Sequence, residues 1–210
     1  MTKRFESLRR LSAEKNRGEM RFKSGLSSAG RLMTFNSFEP REGKQSALRI
    51  AMEWNPDLGQ GLLLYGPTGV GKSHLGCAIT NRLIDEGVFT FFLPTVKIPK
   101  ENTEAIERLT DPDEVPVLVL DDLGAEKGTD RALECLYYII EGRLFNGCSL
   151  IVTTNFKPPT DLANRLSESK AGYGERLVSR LKQSCRFVPI GGRDMRAEEG
   201  TSGGSIRSGK

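Results

Sequence analysis

Apolar positions in this chain follow two alternating rhythms. Short, mostly apolar runs of strand length recur at Leu62–Tyr65, Val88–Leu93, Val117–Leu120, Ser149–Thr153 and Cys185–Pro189. The fully apolar run Val117–Leu120 in particular reads as a strand covered on both faces. Between the runs the period changes to that of a helix. Leu75, Ala78, Ile79, Leu83 and Ile84 share one face, with Gly87 as the stop. Leu133, Leu136, Tyr137, Ile140 and Leu144 do the same over residues 130–146. Further helices are predicted at about Lys44–Trp54, Thr103–Leu109, Thr160–Ser167 and Gly174–Gln183. Phe35 and Phe38 fall in a loop, and Trp54 reads as a packing residue of the core or its rim. The alternation predicts an α/β fold: a five-stranded parallel sheet with helices on both faces, and ligands at the carboxyl ends of the strands.

Composition changes this picture little. With 210 residues, 28% charged and 37% hydrophobic, the chain has the makings of one globular domain. No apolar run is long enough to span a membrane and no signal-peptide pattern opens the sequence, so a cytoplasmic protein is expected. Cys77, Cys135, Cys148 and Cys185 are scattered and read as reduced, mostly buried small hydrophobes. Charge is uneven. Residues 1–33 hold nine Lys/Arg against three Glu, whereas the remainder holds 22 against 24 acids. The expected organisation is a basic, partly disordered arm over 1–33 with a short helix near Phe5–Leu11, a domain over 34–196 and a disordered tail over 197–210. Such an arm binds nucleic acid or an acidic surface, or is simply solvated.

The chemistry begins at Gly66-Pro67-Thr68-Gly69-Val70-Gly71-Lys72-Ser73. This is the phosphate-binding P-loop pattern, set between a predicted strand and a predicted helix. Its glycines let backbone N–H groups turn in around phosphates, and the helix N-terminus adds partial positive charge. Lys72 is expected to reach the β- and γ-phosphates of ATP, and the Ser73 hydroxyl to bind Mg²⁺. Thr68 and Val70 fill the pattern with no side-chain role. His74, the sole histidine, reads as a first-turn residue facing solvent or a neighbouring loop.

Asp121-Asp122 follows the run Val117–Leu120 directly. Asp121 is expected to complete the Mg²⁺ shell from the tip of the strand neighbouring the P-loop strand. Asp122 can orient or deprotonate the attacking water, or be a plain loop or cap residue. Asn155, after the run Ser149–Thr153, can hold that water or touch the γ-phosphate, or form an Asx-turn. Arg176 and Arg180 share a helix face, either as groups that complete a neighbouring subunit's site or as a surface ion pair.

Together these segments resemble the AAA+ ATPases of the DnaC/DnaI helicase-loader and IstB group, from about Lys23 to Arg196. The matching motifs are Thr34-Phe35-Asn36-Ser37-Phe38, Gly66–Ser73 with His74-Leu75, Leu120-Asp121-Asp122-Leu123-Gly124, Thr153-Thr154-Asn155, Gly174–Leu181 and Gly192-Arg193-Asp194-Met195-Arg196. The resemblance implies an AAA+ P-loop NTPase core of the ASCE type, without a C-terminal helical lid. It implies Arg180 as an arginine finger acting in trans with support from Arg176, Asn155 as sensor 1, and Phe35 and Phe38 beside the adenine. Arg193 and Arg196 could approach the nucleotide or be solvated. Loaders of this group dock on the replicative helicase through a substantial N-terminal domain. Here the arm of about 33 residues, which has no Cys, stands in that place.

The leading expectation is a homo-oligomeric, ATP-hydrolysing DNA-replication protein acting on single-stranded DNA and a replicative helicase, with no membrane partner. Lys97, Lys100, Arg9 and Arg10 are candidate phosphate contacts, although Lys97 and Lys100 fit an ordinary solvated loop equally well. One alternative is an IstB-like transposition helper on duplex DNA. Another is an ATP-gated adaptor with negligible hydrolysis, which would have no need of Asp122, Asn155 and Arg180.

Overall fold

Five parallel strands form the centre of the structure, in the order β2-β3-β4-β1-β5. The structure is a computed structural model and describes residues 17–40, 42–125, 130–167 and 172–192. The strands are β1 (Gly61–Tyr65), β2 (Thr90–Pro94), β3 (Val117–Leu123), β4 (Ser149–Thr154) and β5 (Cys185–Pro189). The helices are α1 (Arg17–Lys23), α2 (Gln45–Glu53), α3 (Lys72–Asp85), α4 (Thr103–Thr110), α5 (Asp130–Phe145), α6 (Thr160–Leu166) and α7 (Tyr173–Ser184). Among the described residues, which end at 192, no helix follows β5.

The apolar strand runs are explained by burial on both faces. Leu62, Leu64, Val117, Val119 and Ile151 pack with Ala47 and Ala51 of α2 and with Leu75, Ile79 and Leu83 of α3. Their neighbours Leu63, Leu118, Leu120, Leu150 and Val152 point the other way, to Leu109, Leu136, Ile140, Leu166 and Leu177 on α4–α7. Alternate residues of a strand face opposite sides, so a central strand must be apolar at every position.

Two features depart from the sequence expectations. First, β3 does not neighbour β1. β4 lies between them, pairing Leu64 with Thr153 on one side and Leu120 with Val152 on the other. Hydrophobic runs say that strands exist, but nothing in them specifies lateral order. Second, the segment expected as an arm is built into the domain from residue 17. Met20 and Leu26 are buried, Arg21 pairs with Asp85 of α3, and the Phe92 N–H donates to Ser24 O (2.7 Å). Asn81 of α3 holds the next stretch through bonds from Nδ2 to Gly30 O (3.0 Å) and Met33 O (2.9 Å). The expected helix at Phe5–Leu11, Arg9 and Arg10, as well as Arg193, Arg196 and the tail, lie outside the described residues.

Arg143 of α5 is fully buried and donates to the carbonyls of Leu109, Val115, Pro116 and Ser149 (2.6–3.1 Å). It ties α4, the lead into β3 and the start of β4 together. Burial pulls its guanidinium down to about 10. Cys77, Cys135 and Cys185 are buried and Cys148 half-buried, with no disulfide among them, and Trp54 is a core residue.

Candidate functional site

The loop after β1 can be only glycine where it bends hardest. A Cβ on Gly66 would lie 2.1 Å from Ile190 O, and one on Gly71, at φ 104°, would lie 2.6 Å from the Phe38 ring. Between them Pro67 and Thr68 are exposed, Gly69 is half-buried and Val70 is buried in the core. The motif's valine is thus a packing residue, consistent with its having no part in phosphate chemistry. α3 starts at Lys72, so the N–H groups of its first turn are directed toward the loop. The Lys72 ammonium donates to Gly66 O (2.9 Å) and Pro67 O (2.6 Å).

His74 faces the neighbouring loop. Its Nε2 lies 2.9 Å from Thr34 O, which makes that nitrogen the N–H donor, and 3.3 Å from Ser37 Oγ. Its ring meets Phe38 edge-on with centroids 5.3 Å apart. Phe35 packs under the Arg82 guanidinium, 5.7 Å from the ring centroid. The Thr34–Phe38 loop is therefore fastened to both ends of the P-loop helix, by His74 in its first turn and Arg82 in its last.

The acidic side is assembled from β3 and β4. Leu120 pairs with Val152 but Leu123 with Thr154, so β3 carries one extra residue at Asp121-Asp122. Asp122 absorbs the bulge at φ 61°, the left-handed region that non-glycine residues avoid. Its N–H donates to Thr153 Oγ1 (2.8 Å), its carbonyl accepts from Thr95 Oγ1 (2.9 Å), and its Oδ1 accepts from Asn155 Nδ2 (2.7 Å). Asn155 is thus turned toward Asp122 and not back on its own backbone. Thr153 Oγ1 donates to Asp121 Oδ1 (2.7 Å). Burial pushes the Asp121 carboxyl above its ordinary value, with the Asp122 charge adding to the rise. Hydrogen bonds from Thr153 and Ser73 and the nearby Lys72 ammonium oppose the shift.

Ser73, Lys72, Asp121, Asp122 and Asn155 are thereby brought to the carboxyl ends of three adjacent strands, β1, β4 and β3. A glycine cradle and an ammonium suit a triphosphate, and beside them a hydroxyl and a half-buried carboxylate form an all-oxygen ligand set that suits Mg²⁺. Arg180 lies elsewhere. It sits on α7 against α5, ion-paired with Glu141, bonded to Gln183 Oε1 (3.1 Å), and raised by its hydrogen bond to Tyr137. Arg176 is exposed on the same helix. Lys97 is exposed just after β2, where it borders a groove of about 700 Å³ with Phe89 and Phe91, and Lys100 is half-buried. Thr95 and Thr153 escaped the sequence reading as bonding partners. For Thr153 the available signal was a threonine within a run otherwise destined for full burial.

Comparison with known proteins agrees with this geometry. The family model for IstB-like ATP binding proteins matches residues 42–202. The replicative helicase loader DnaI of Bacillus subtilis is 27% identical over 150 residues, 66% of this chain and 48% of that protein. A protein of Mycobacterium tuberculosis, described as ATP-binding and in an insertion sequence, is 29% identical over 114 residues, 51% of this chain and 45% of that protein. The chain therefore spans about half the length of these relatives. The crystal structure of the DnaC helicase loader superposes with a TM-score of 0.62 at 26% identity, over 79% of this chain and 100% of that one. The chain belongs to the IstB-like ATP-binding family, within the AAA+ group that includes the DnaC and DnaI helicase loaders.

Proposed function

We propose that this protein binds ATP with Mg²⁺ and hydrolyses it, as a cytoplasmic DNA-replication protein of the helicase-loader type that works as an oligomer on single-stranded DNA and a replicative helicase. The observation that carries the reading is the pair of carboxylates opposite the P-loop. Asp121 accepts from Thr153 Oγ1 beside the Ser73 hydroxyl, and Asp122 is bonded to Asn155. A pure nucleotide binder needs the first arrangement but not the second. Lys72 would leave the Gly66 and Pro67 carbonyls for the phosphates, while Ser73 and Asp121 would hold the metal. Mg²⁺, when bound, supplies charge neutralisation at the β- and γ-oxygens. Asp122 would orient the attacking water or take its proton, with Asn155 fixing the carboxylate and the water's position. Arg180 would leave Glu141 to reach the γ-phosphate held by a neighbouring copy, Arg176 supporting it. Phe35 and Phe38 would flank the adenine, and Lys97 and Lys100 would meet DNA phosphates.

The test is the steady-state ATPase rate of the purified chain with and without single-stranded DNA, alongside ATP-dependent retention on it. Stimulation and retention are expected. Absence of both would overturn the single-strand reading. The family match and the relative in an insertion sequence favour a second reading, a transposition helper acting on duplex DNA. Stronger ATP-dependent retention on double than on single strands would select it.

A further inference from the structure

We propose that Thr153 is a positioning residue that sets Asp121 and Asp122 to separate tasks through one hydroxyl. This rests on the nucleotide-site reading above and adds to it a group on β4. Thr153 is fully buried within a strand whose inner positions Leu150, Ile151 and Val152 are apolar. A hydroxyl has one proton to give and two lone pairs. Here the proton goes to Asp121 Oδ1 (2.7 Å), and a lone pair takes the Asp122 N–H (2.8 Å). One oxygen atom therefore grips the side chain of the first aspartate and the backbone of the second.

The bulge in β3 makes this necessary. Consecutive residues of a regular strand face opposite sides of the sheet, so only one of two adjacent aspartates could face the P-loop helix. The extra residue between Leu120 and Leu123 removes that restriction. Asp121 is met by Thr153 and Asp122 by Asn155, the residue that follows β4. Thr153 itself faces α3, its methyl lying 3.7 Å from where a Cβ on Gly76 would be. The bulge holds Asp122 at a positive φ, which persists only when its surroundings over-determine it. Thr153 supplies one of those constraints while it also steers the Asp121 carboxylate, leaving Oδ2 as the oxygen not taken by this hydroxyl.

The test compares Thr153→Val, which keeps the shape and removes the hydroxyl, with Thr153→Ser, which keeps the hydroxyl. The readout is the dissociation constant of a fluorescent ATP analogue in Mg²⁺ and in EDTA, followed by kcat and KM. In the valine variant, affinity in EDTA should match the parent, showing that the cradle is intact. The extra affinity conferred by Mg²⁺ should fall about tenfold or more, the usual effect of removing a partner that orients a metal ligand, and kcat should fall with it. The serine variant should retain both. A valine variant with the parent's Mg²⁺ dependence and kcat would overturn the proposal and leave the site reading standing. A parent that gains nothing from Mg²⁺ would sink the site reading as well. Should the valine variant not fold, the serine variant decides: losing the Mg²⁺ gain with the hydroxyl still present would refute the assignment.

Discussion

The two sides of the nucleotide site are built in opposite ways. The phosphate side is one continuous segment, Gly66–Ser73, whose glycines, lysine and helix start lie in a fixed sequence order. The acidic side is assembled from β3, β4 and the turn after β2, with Asp121 and Asp122 held by Thr153, Asn155 and Thr95. The first is local and can be read as a motif. The second depends on strand order and on a single inserted residue in β3. A cradle of backbone N–H groups binds charge that is already present in the ground state. Carboxylates that handle water act on charge that develops during reaction, so their placement is tighter.

This contrast predicts a clean division of phenotypes. The largest effect is expected from Asp122→Asn, which should lower kcat by about 10²–10⁴-fold while leaving nucleotide affinity near the parent's. Equal losses in binding and turnover would erase the distinction between the two sides. Next comes Lys72→Ala, which removes charge-assisted bonds and should weaken ATP binding by roughly 10–100-fold, as read by equilibrium titration. If that variant still captured nucleotide as tightly as the parent, the phosphate side would be misassigned.

The smallest effect concerns the cost of the acidic side. Because burial raises the Asp121 carboxyl above its unfolded value, its contribution to stability is present at acid pH and lost as pH rises through the folded-state titration. Asp121→Asn does not titrate. In the absence of nucleotide it should therefore melt slightly higher than the parent at neutral pH, with the gap closing as the pH is lowered. Thermal unfolding across pH measures this directly, and a lower melting point for the variant at neutral pH would show that the buried charge is compensated.

The strands, most helices and the P-loop were legible because each is encoded by spacing within a short stretch. The predicted ends at Ser149–Thr153 and Cys185–Pro189 lie within a residue of those observed. Asp121 and Asp122 were legible as chemistry but not as geometry. The sequence suggests a strand beside the P-loop strand, whereas β4 intervenes and contributes Thr153 from that position, with Asn155 just past its end. Residues 17–33 read as part of a basic arm because their charge is conspicuous and their anchors, Met20 and Leu26, are few. The anchoring comes from Asp85, Asn81 and the open edge of β2, all distant in the chain.

From its residues alone the protein is determined to be a parallel α/β domain with a phosphate cradle and an acidic strand end. Periodicity and motif spacing are local properties that need no folded neighbour to be recognised. Only the tertiary structure decided that one threonine hydroxyl holds two adjacent aspartates, and that Arg180 rests on Glu141 away from its own P-loop. Lateral strand order, a one-residue bulge and the partner of a hydroxyl are set by contacts between segments far apart in sequence, and those contacts exist only once the chain has packed.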